Sequence, residues 1–188
     1  MRRYQTFASV ISVVQAVMPS LPYHNFGHAM DVYTATRRLG SLTRISSEDL
    51  ILLETAALLH DGILIPGAKD NEERTAEFAR RYLLTLGYTL KQVDTIASLI
   101  LATKIPTAPQ GILQEILCDA DLDNLGRDDY FVRNDEVRRE IGIPAGKEWW
   151  ASSLQFLQTQ RYYTRAAQTL REKGKERNKK KLEEQLQI

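Results

Sequence analysis

Along the chain, apolar residues recur at three- and four-residue spacing, and no stretch alternates strictly in the manner of a half-buried strand. Phe7, Val10, Ile11, Val14 and Met18 draw one apolar stripe. It predicts a helix over 4–18 that stops before Pro19 and Pro22. His28, Val32, Ala35 and Leu39 form a second stripe, predicting a helix over 27–39 with Gly40 as its left-handed stop. Ser46 and Asp49 read as a capping box before the apolar run LILLETAALLHD, and Asp70 and Glu73 read likewise before a helix closed by Gly87. Thr89 and Gln92 open another helix, which ends before Pro106. Further helices are predicted over 109–125, 127–140, 147–172 and 175–187, with breaks at Gly126, Gly142, Pro144 and Gly146. The pattern is that of an all-α fold: a single helical domain of about nine helices, over residues 1–172, followed by a basic helical tail at 173–188.

Composition narrows the functions open to such a domain. The 188 residues carry 25 Lys and Arg against 24 Asp and Glu, a formal net charge of +1. That balance speaks against a nucleic-acid partner, because such affinity rests on neutralising many phosphates. The one basic bias, in 171–185, reads as a solvated helix end. The lone cysteine, Cys118, reads as a small buried hydrophobe and suits a reducing cytoplasm. No run of 18 apolar residues occurs, so no membrane partner is expected. Arg2 and Arg3 precede an apolar stretch as in a signal peptide. The helical stripe, the interrupting Ser9, Ser12 and Gln15, and the lack of an A-x-A pattern favour an amphipathic core helix instead. A chain of this length folds without a structural metal, so any metal site in it points to chemistry.

The chemistry gathers in three segments. PYHNFGHAMDV holds His24 and His28, AALLHDG holds His60 and Asp61, and ILCDADLDNLG holds Asp119, Asp121 and Asp123. His28 lies on the inward stripe of its helix. His60 ends a very apolar helix, and the carboxylate after it is costly to bury unless paired or metal-bound. Leu113, Leu117, Asp121 and Leu125 share one row, whereas Glu115, Asp119 and Asp123 share a charged row that reads as solvent-facing. The inward aspartate is then Asp121. Taken singly, each residue is also readable as a core histidine bonded to backbone, or as a carboxylate in a cap or ion pair. Taken together, His28, His60, Asp61 and Asp121 make a coherent nitrogen and oxygen site for Mn, Fe, Ni, Co, Mg or Zn.

The order H…HD…D on an all-α chain resembles the HD superfamily of metal-dependent phosphohydrolases. Tyr23 to Val32 is similar to the Y-H-N-x-x-H-A-x-D-V signature of class I cyclic-nucleotide phosphodiesterases, and Ala120 to Asn124 resembles their A-D-L-S-N. Residues 156–184 are similar to the ends of small bacterial HD proteins, so the resemblance covers most of the chain. It implies His28, His60, Asp61 and Asp121 as ligands of one tightly held divalent ion. It implies His24 as general acid, with Asn25 orienting that region. The implied reaction is hydrolysis of a phosphodiester, such as a cyclic nucleotide, by metal-bound hydroxide while an imidazolium protonates the leaving oxygen.

Two departures bear on that reading. Some two-metal relatives place a further histidine where this chain has Asp70-Asn71-Glu72-Glu73, so a second ion would depend on Glu72, Glu73 or water. The glutamine-pocket region of the mammalian diesterases has no counterpart here, and Gln160 stands where related small bacterial proteins often carry histidine. Lys69, Lys104 and Arg127 are the candidate phosphate-binding cations, and otherwise ordinary surface charges. Trp149, Trp150, Tyr162 and Tyr163 offer faces to a base, though core packing claims at least one of each pair. Two readings stand beside the diesterase: a nucleotide phosphomonoesterase of the same fold, and a non-catalytic module that binds nucleotide or metal.

Overall fold

The computed structural model describes residues 2–187, with residues 2–6 given by their backbone alone. Among these residues run α1 (Arg2–Val17), α2 (Phe26–Thr43), α3 (Ser47–Leu59), α4 (Asn71–Thr85) and α5 (Leu90–Ala102). They are followed by α6 (Ile112–Asp121), a 3-10 turn over Asp123–Gly126, α7 (Tyr130–Glu140), α8 (Lys147–Thr159) and α9 (Arg165–Leu186), with no strand. None of these helices is long and apolar enough to cross a membrane.

The most apolar helix takes the middle. Leu52, Leu53 and the run Thr55–Leu59 are all buried, so the C-terminal half of α3 is enclosed, while Ser47 and Glu48 at its start are exposed. α1, α2, α5 and α6 pack around it, α4 pairs with α5, and α8 pairs with α9, which lies against the 3-10 turn. The first stripe behaves as expected: Val10, Val14 and Met18 are buried. Several helix ends also follow the reading of their caps. The Ser46 hydroxyl accepts from the Asp49 amide at 3.0 Å. Thr89 and Gln92 form a reciprocal capping box.

Other expectations are corrected. Asp70 makes no cap bond; its carboxylate pairs instead with Arg74 at 2.9 Å. Gly40 does not stop α2. The helix runs on to Thr43, and Arg44 takes the left-handed conformation at φ 57°. Gly40 is small because α3 crosses there: a Cβ would meet Leu50 Cδ1 at 2.9 Å. α6 stops at Asp121, short of the expected 125.

The larger corrections concern the charged row and the helix over 147–172. Asp119 and Asp123 do not face water; they are 1% and 5% exposed. Asp119 accepts from the amides of Tyr163 and Thr164 at 2.7 and 2.8 Å, and from the Thr164 hydroxyl at 2.7 Å. That anchor fixes a turn between α8 and α9, where an unbroken helix was expected. Thr164 then caps α9 by accepting from Ala167. Asp123 accepts from both Arg38 and Arg171 at 2.7 Å. The row faces a second layer of helix, which the spacing within α6 cannot reveal.

The expected boundary at residue 172 falls inside the continuous α9, whose Gly174, Lys175, Asn178 and Leu182 are buried. α9 comes close because both crossing residues are glycines. A Cβ on Gly174 would stand 1.9 Å from the Gly126 carbonyl oxygen, and one on Gly126 would stand 2.3 Å from that of Arg171. Of the aromatic pairs, Trp149 and Tyr162 are buried, while Trp150 and Tyr163 are partly exposed.

Candidate metal centre

The four residues expected to form a site are delivered by three helix ends. His28 lies in the first turn of α2, which Asn25 caps by accepting from the amides of Gly27 and His28 at 2.8 and 3.2 Å. The Asn25 amide also donates to the carbonyls of Leu21 and Pro22, so it ties the entering loop to the helix. His60 and Asp61 follow the end of α3, and Asp121 is the last residue of α6. The C-terminal ends of α3 and α6 therefore present the negative poles of their dipoles to the site, which favours a cation.

Their donor atoms converge. His28 Nε2, His60 Nε2, one Asp61 oxygen and one Asp121 oxygen all lie within 4.8 Å of one another. His60 Nε2 stands 3.0 Å from Asp61 Oδ2 and 3.2 Å from Asp121 Oδ1. His28 Nε2 stands 3.5 and 3.3 Å from the same two oxygens, and 3.3 Å from His60 Nε2. Ligands bound at about 2.0–2.2 Å from a common ion lie roughly 3 Å apart, so this set fits a divalent cation. The tautomer also fits. The Ala57 carbonyl can only accept, so His60 Nδ1 carries the proton at 2.9 Å and Nε2 turns its lone pair to the cluster.

The charges agree with that fit. Burial pushes the His60 imidazole down, but Asp61 and Asp121 outweigh it and hold the ring well above its usual pKa. His28 is raised by the same contest between burial and the two carboxylates. Burial alone would raise Asp61 and Asp121; His60 and His28 instead hold both low, Asp61 well below the usual carboxylate range. The cluster thus balances two imidazoles against two carboxylates, and a divalent cation would take the place of protons.

His24 stands beside this set, with Nε2 3.8 Å from Asp61 Oδ2. Its other nitrogen is held by Glu140, a residue that the sequence reading did not select. Glu140 Oε1 receives His24 Nδ1, and Oε2 accepts from the amides of Tyr23 and His24 at 3.0 and 2.9 Å. The Glu140 carboxyl is held below its ordinary value because those bonds outweigh its burial. Glu140 is 116 residues from His24, at the end of a polar helix, and no local motif marks it. Tyr23 packs its ring 4.6 Å from that of His28.

The cavity beside the cluster is bordered by Tyr23, His28, Asp31, Asp121, Arg127 and Arg133. Of the three candidate cations, Arg127 lines it. Lys104 borders a different cavity with Arg80 and Pro106, and pairs with Glu73 at 2.5 Å. Lys69 is exposed, and neither it nor Glu72 nor Glu73 belongs to the four-residue cluster or lines its cavity. Gln160 ends α8 and gives its carbonyl to the buried Lys175 at 2.9 Å. Cys118 donates to the Ala102 carbonyl, and burial pushes its thiol up to about 12, so it is no nucleophile at neutral pH.

Comparison with protein-family models matches the HD domain over residues 25–123. Comparison with curated protein sequences finds no match. Among solved structures, Bacillus subtilis YpgQ in complex with ADP aligns with a TM-score of 0.73 and 20% identity, over 98% of this chain and 96% of that one. A second structure of Bacillus subtilis YpgQ aligns with a TM-score of 0.75 and 18% identity, over 98% and 97%. At such identity the likeness is one of fold.

Proposed function

Because the chain belongs to the HD-domain family, we propose that it is a metal-dependent phosphohydrolase acting on a nucleotide. The observation that carries this reading is the convergence of His28, His60, Asp61 and Asp121 with His24 set beside them. A divalent ion held by those four would polarise a phosphoryl oxygen and acidify water. Mn, Fe, Ni, Co, Mg and Zn all suit the donor set. One tightly held ion is proposed, because neither Glu72 nor Glu73 is among the grouped ligands.

The chain's own residues would supply the rest. His24 is the proposed general acid: Glu140 holds Nδ1, which leaves Nε2 to protonate a departing oxygen over the cluster. Asn25 acts through the loop that it ties, keeping His24 and His28 in register. Arg127 lends positive charge to the cavity wall. The proposed bond is a phosphodiester, following the likeness of Tyr23–Val32 to the diesterase signature. The nucleotide is favoured because a protein of this fold, Bacillus subtilis YpgQ, has been crystallised with ADP. The lone thiol fits a cytoplasmic setting.

The deciding experiment is a metal-supplemented panel of cyclic mononucleotides, dinucleotides, nucleoside mono- to triphosphates and aryl phosphate mono- and diesters. Turnover of at least one class with Mn or a similar ion, lost together with the metal in Asp61→Ala, is expected. A stoichiometric metal without hydrolysis of any substrate would make the chain a binding module. Protein that takes up no metal would overturn the reading altogether.

A further inference from the structure

The cavity beside His28 is lined by two guanidinium groups, of which the phosphohydrolase reading uses Arg127 only as a source of positive charge. Arg127 is gripped along one edge by Asp129, with Nε–Oδ1 and Nη2–Oδ2 distances of 2.8 and 2.5 Å. Its carbonyl is held by Asn178, a buried residue of α9, at 3.0 Å. Arg133 is held by Glu136 through Nη1 at 3.0 Å, with a longer contact from Nε to Asp129 at 3.3 Å. Arg127 is thus fixed along its Nε–Nη2 edge, Arg133 is held from its Nη1 end, and each keeps one amino group for the cavity. Those two groups, Arg127 Nη1 and Arg133 Nη2, meet on a single oxygen, Asp31 Oδ2, at 3.3 and 3.2 Å.

Asp31 lies three residues after His28 on α2, so it rises from the same side of the helix next to the metal cluster. Its contacts with the arginines are long for charge-assisted bonds, which ordinarily measure about 2.7–2.9 Å. Its side chain is 38% exposed, so it can turn to water without being stranded. Two guanidinium groups that converge on one oxygen present the donors that an oxyanion takes.

We propose that Arg127 and Arg133 bind a second, non-reacting phosphate of the substrate, and that the Asp31 carboxylate holds that place until the phosphate displaces it. The inference rests on the phosphohydrolase reading and sharpens it. The substrate class is an organic phosphate carrying at least two phosphate groups, one at the metal cluster and one at the arginines. A cyclic mononucleotide would leave the second site to Asp31.

Equilibrium binding tests this without turnover. The probes are AMP, with one phosphate, and α,β-methylene-ADP, whose two phosphorus centres are joined by a bridge that resists anhydride cleavage. Both are titrated into the full chain in constant excess Mg, with folding of each variant checked by circular dichroism. The native protein should prefer the two-phosphate probe by about tenfold or more. Arg133→Gln should bring that preference close to unity while AMP affinity stays within about threefold. Asp31→Asn, which removes the internal competitor but keeps the side-chain volume, should widen the preference. No preference in the native protein, a preference that survives Arg133→Gln, or a loss of affinity in Asp31→Asn would each overturn the proposal. A clear Arg133-dependent preference in a protein that hydrolyses nothing would instead uphold the site and defeat the phosphohydrolase reading.

Discussion

At the scale of single residues, the proposed division between holding a metal and moving a proton rests on which atoms touch. His24 stands 3.8 Å from Asp61 and sets its ring edge-on to that of His28, 5.6 Å between centroids, while its other nitrogen is bound by Glu140. Removal of the imidazole in His24→Ala should therefore keep the metal, measured by elemental analysis, and lower kcat on substrates with poor leaving groups by about 10²–10⁴. Glu140→Gln keeps an acceptor for the two amides but takes the negative charge from Nδ1. It should lower kcat on alkyl esters by about tenfold and leave nitrophenyl esters, which need no acid, nearly unchanged. Equal losses on both kinds of ester would show Glu140 to be merely structural. Metal loss in His24→Ala would make that histidine a ligand instead of an acid.

At the scale of elements, what the sequence shows is what lies within one turn or one helix. The stripe of His28 points inward and the apolar α3 is central, because each depends on periodicity that a single segment contains, whereas the meeting of the two histidines and two aspartates is legible through the resemblance to the HD motif. Asp119 and Asp123 depart from their expected exposure for the complementary reason. A charged i+4 row looks the same whether it faces water or another helix, and α9 supplies that helix from some forty residues away. Glu140 and Arg133 also owe their places to contacts between distant segments. The importance of the Asp119 anchor is open to measurement. Asp119→Ala leaves two backbone amides and the Thr164 hydroxyl without their acceptor in a buried turn, and should cost about 3 kcal/mol in urea unfolding. A change below about 0.5 kcal/mol would mean that the α8–α9 turn stands without it.

For the whole molecule, the cluster couples stability to pH and metal. With metal removed, the raised His28 and His60 contribute stability that is fully present below about pH 6.5 and is lost as pH climbs through their folded values. Asp61 and Asp121, held low, contribute stability that is present above about pH 3.9 and is lost as pH falls through theirs. The metal-free protein should thus gain most from the cluster between about pH 4 and 6.5 and weaken towards alkaline pH. A divalent ion must displace imidazole protons, so it binds better as pH rises. The rise in Tm on adding Mn to chelator-treated protein should be larger at pH 8 than at pH 6. An equal rise at both would show that the bound ion does not displace those protons.

The bonds from Glu140 to the amides of Tyr23 and His24 join positions 117 and 116 residues apart, and this sets an order of events during synthesis. A ribosome delivers all four metal-facing side chains by residue 121, whereas Glu140 follows later and α9 later still. At about 5–20 residues per second, the interval to Glu140 is on the order of seconds. The four cation donors are thus made before the carboxylate that binds His24 Nδ1.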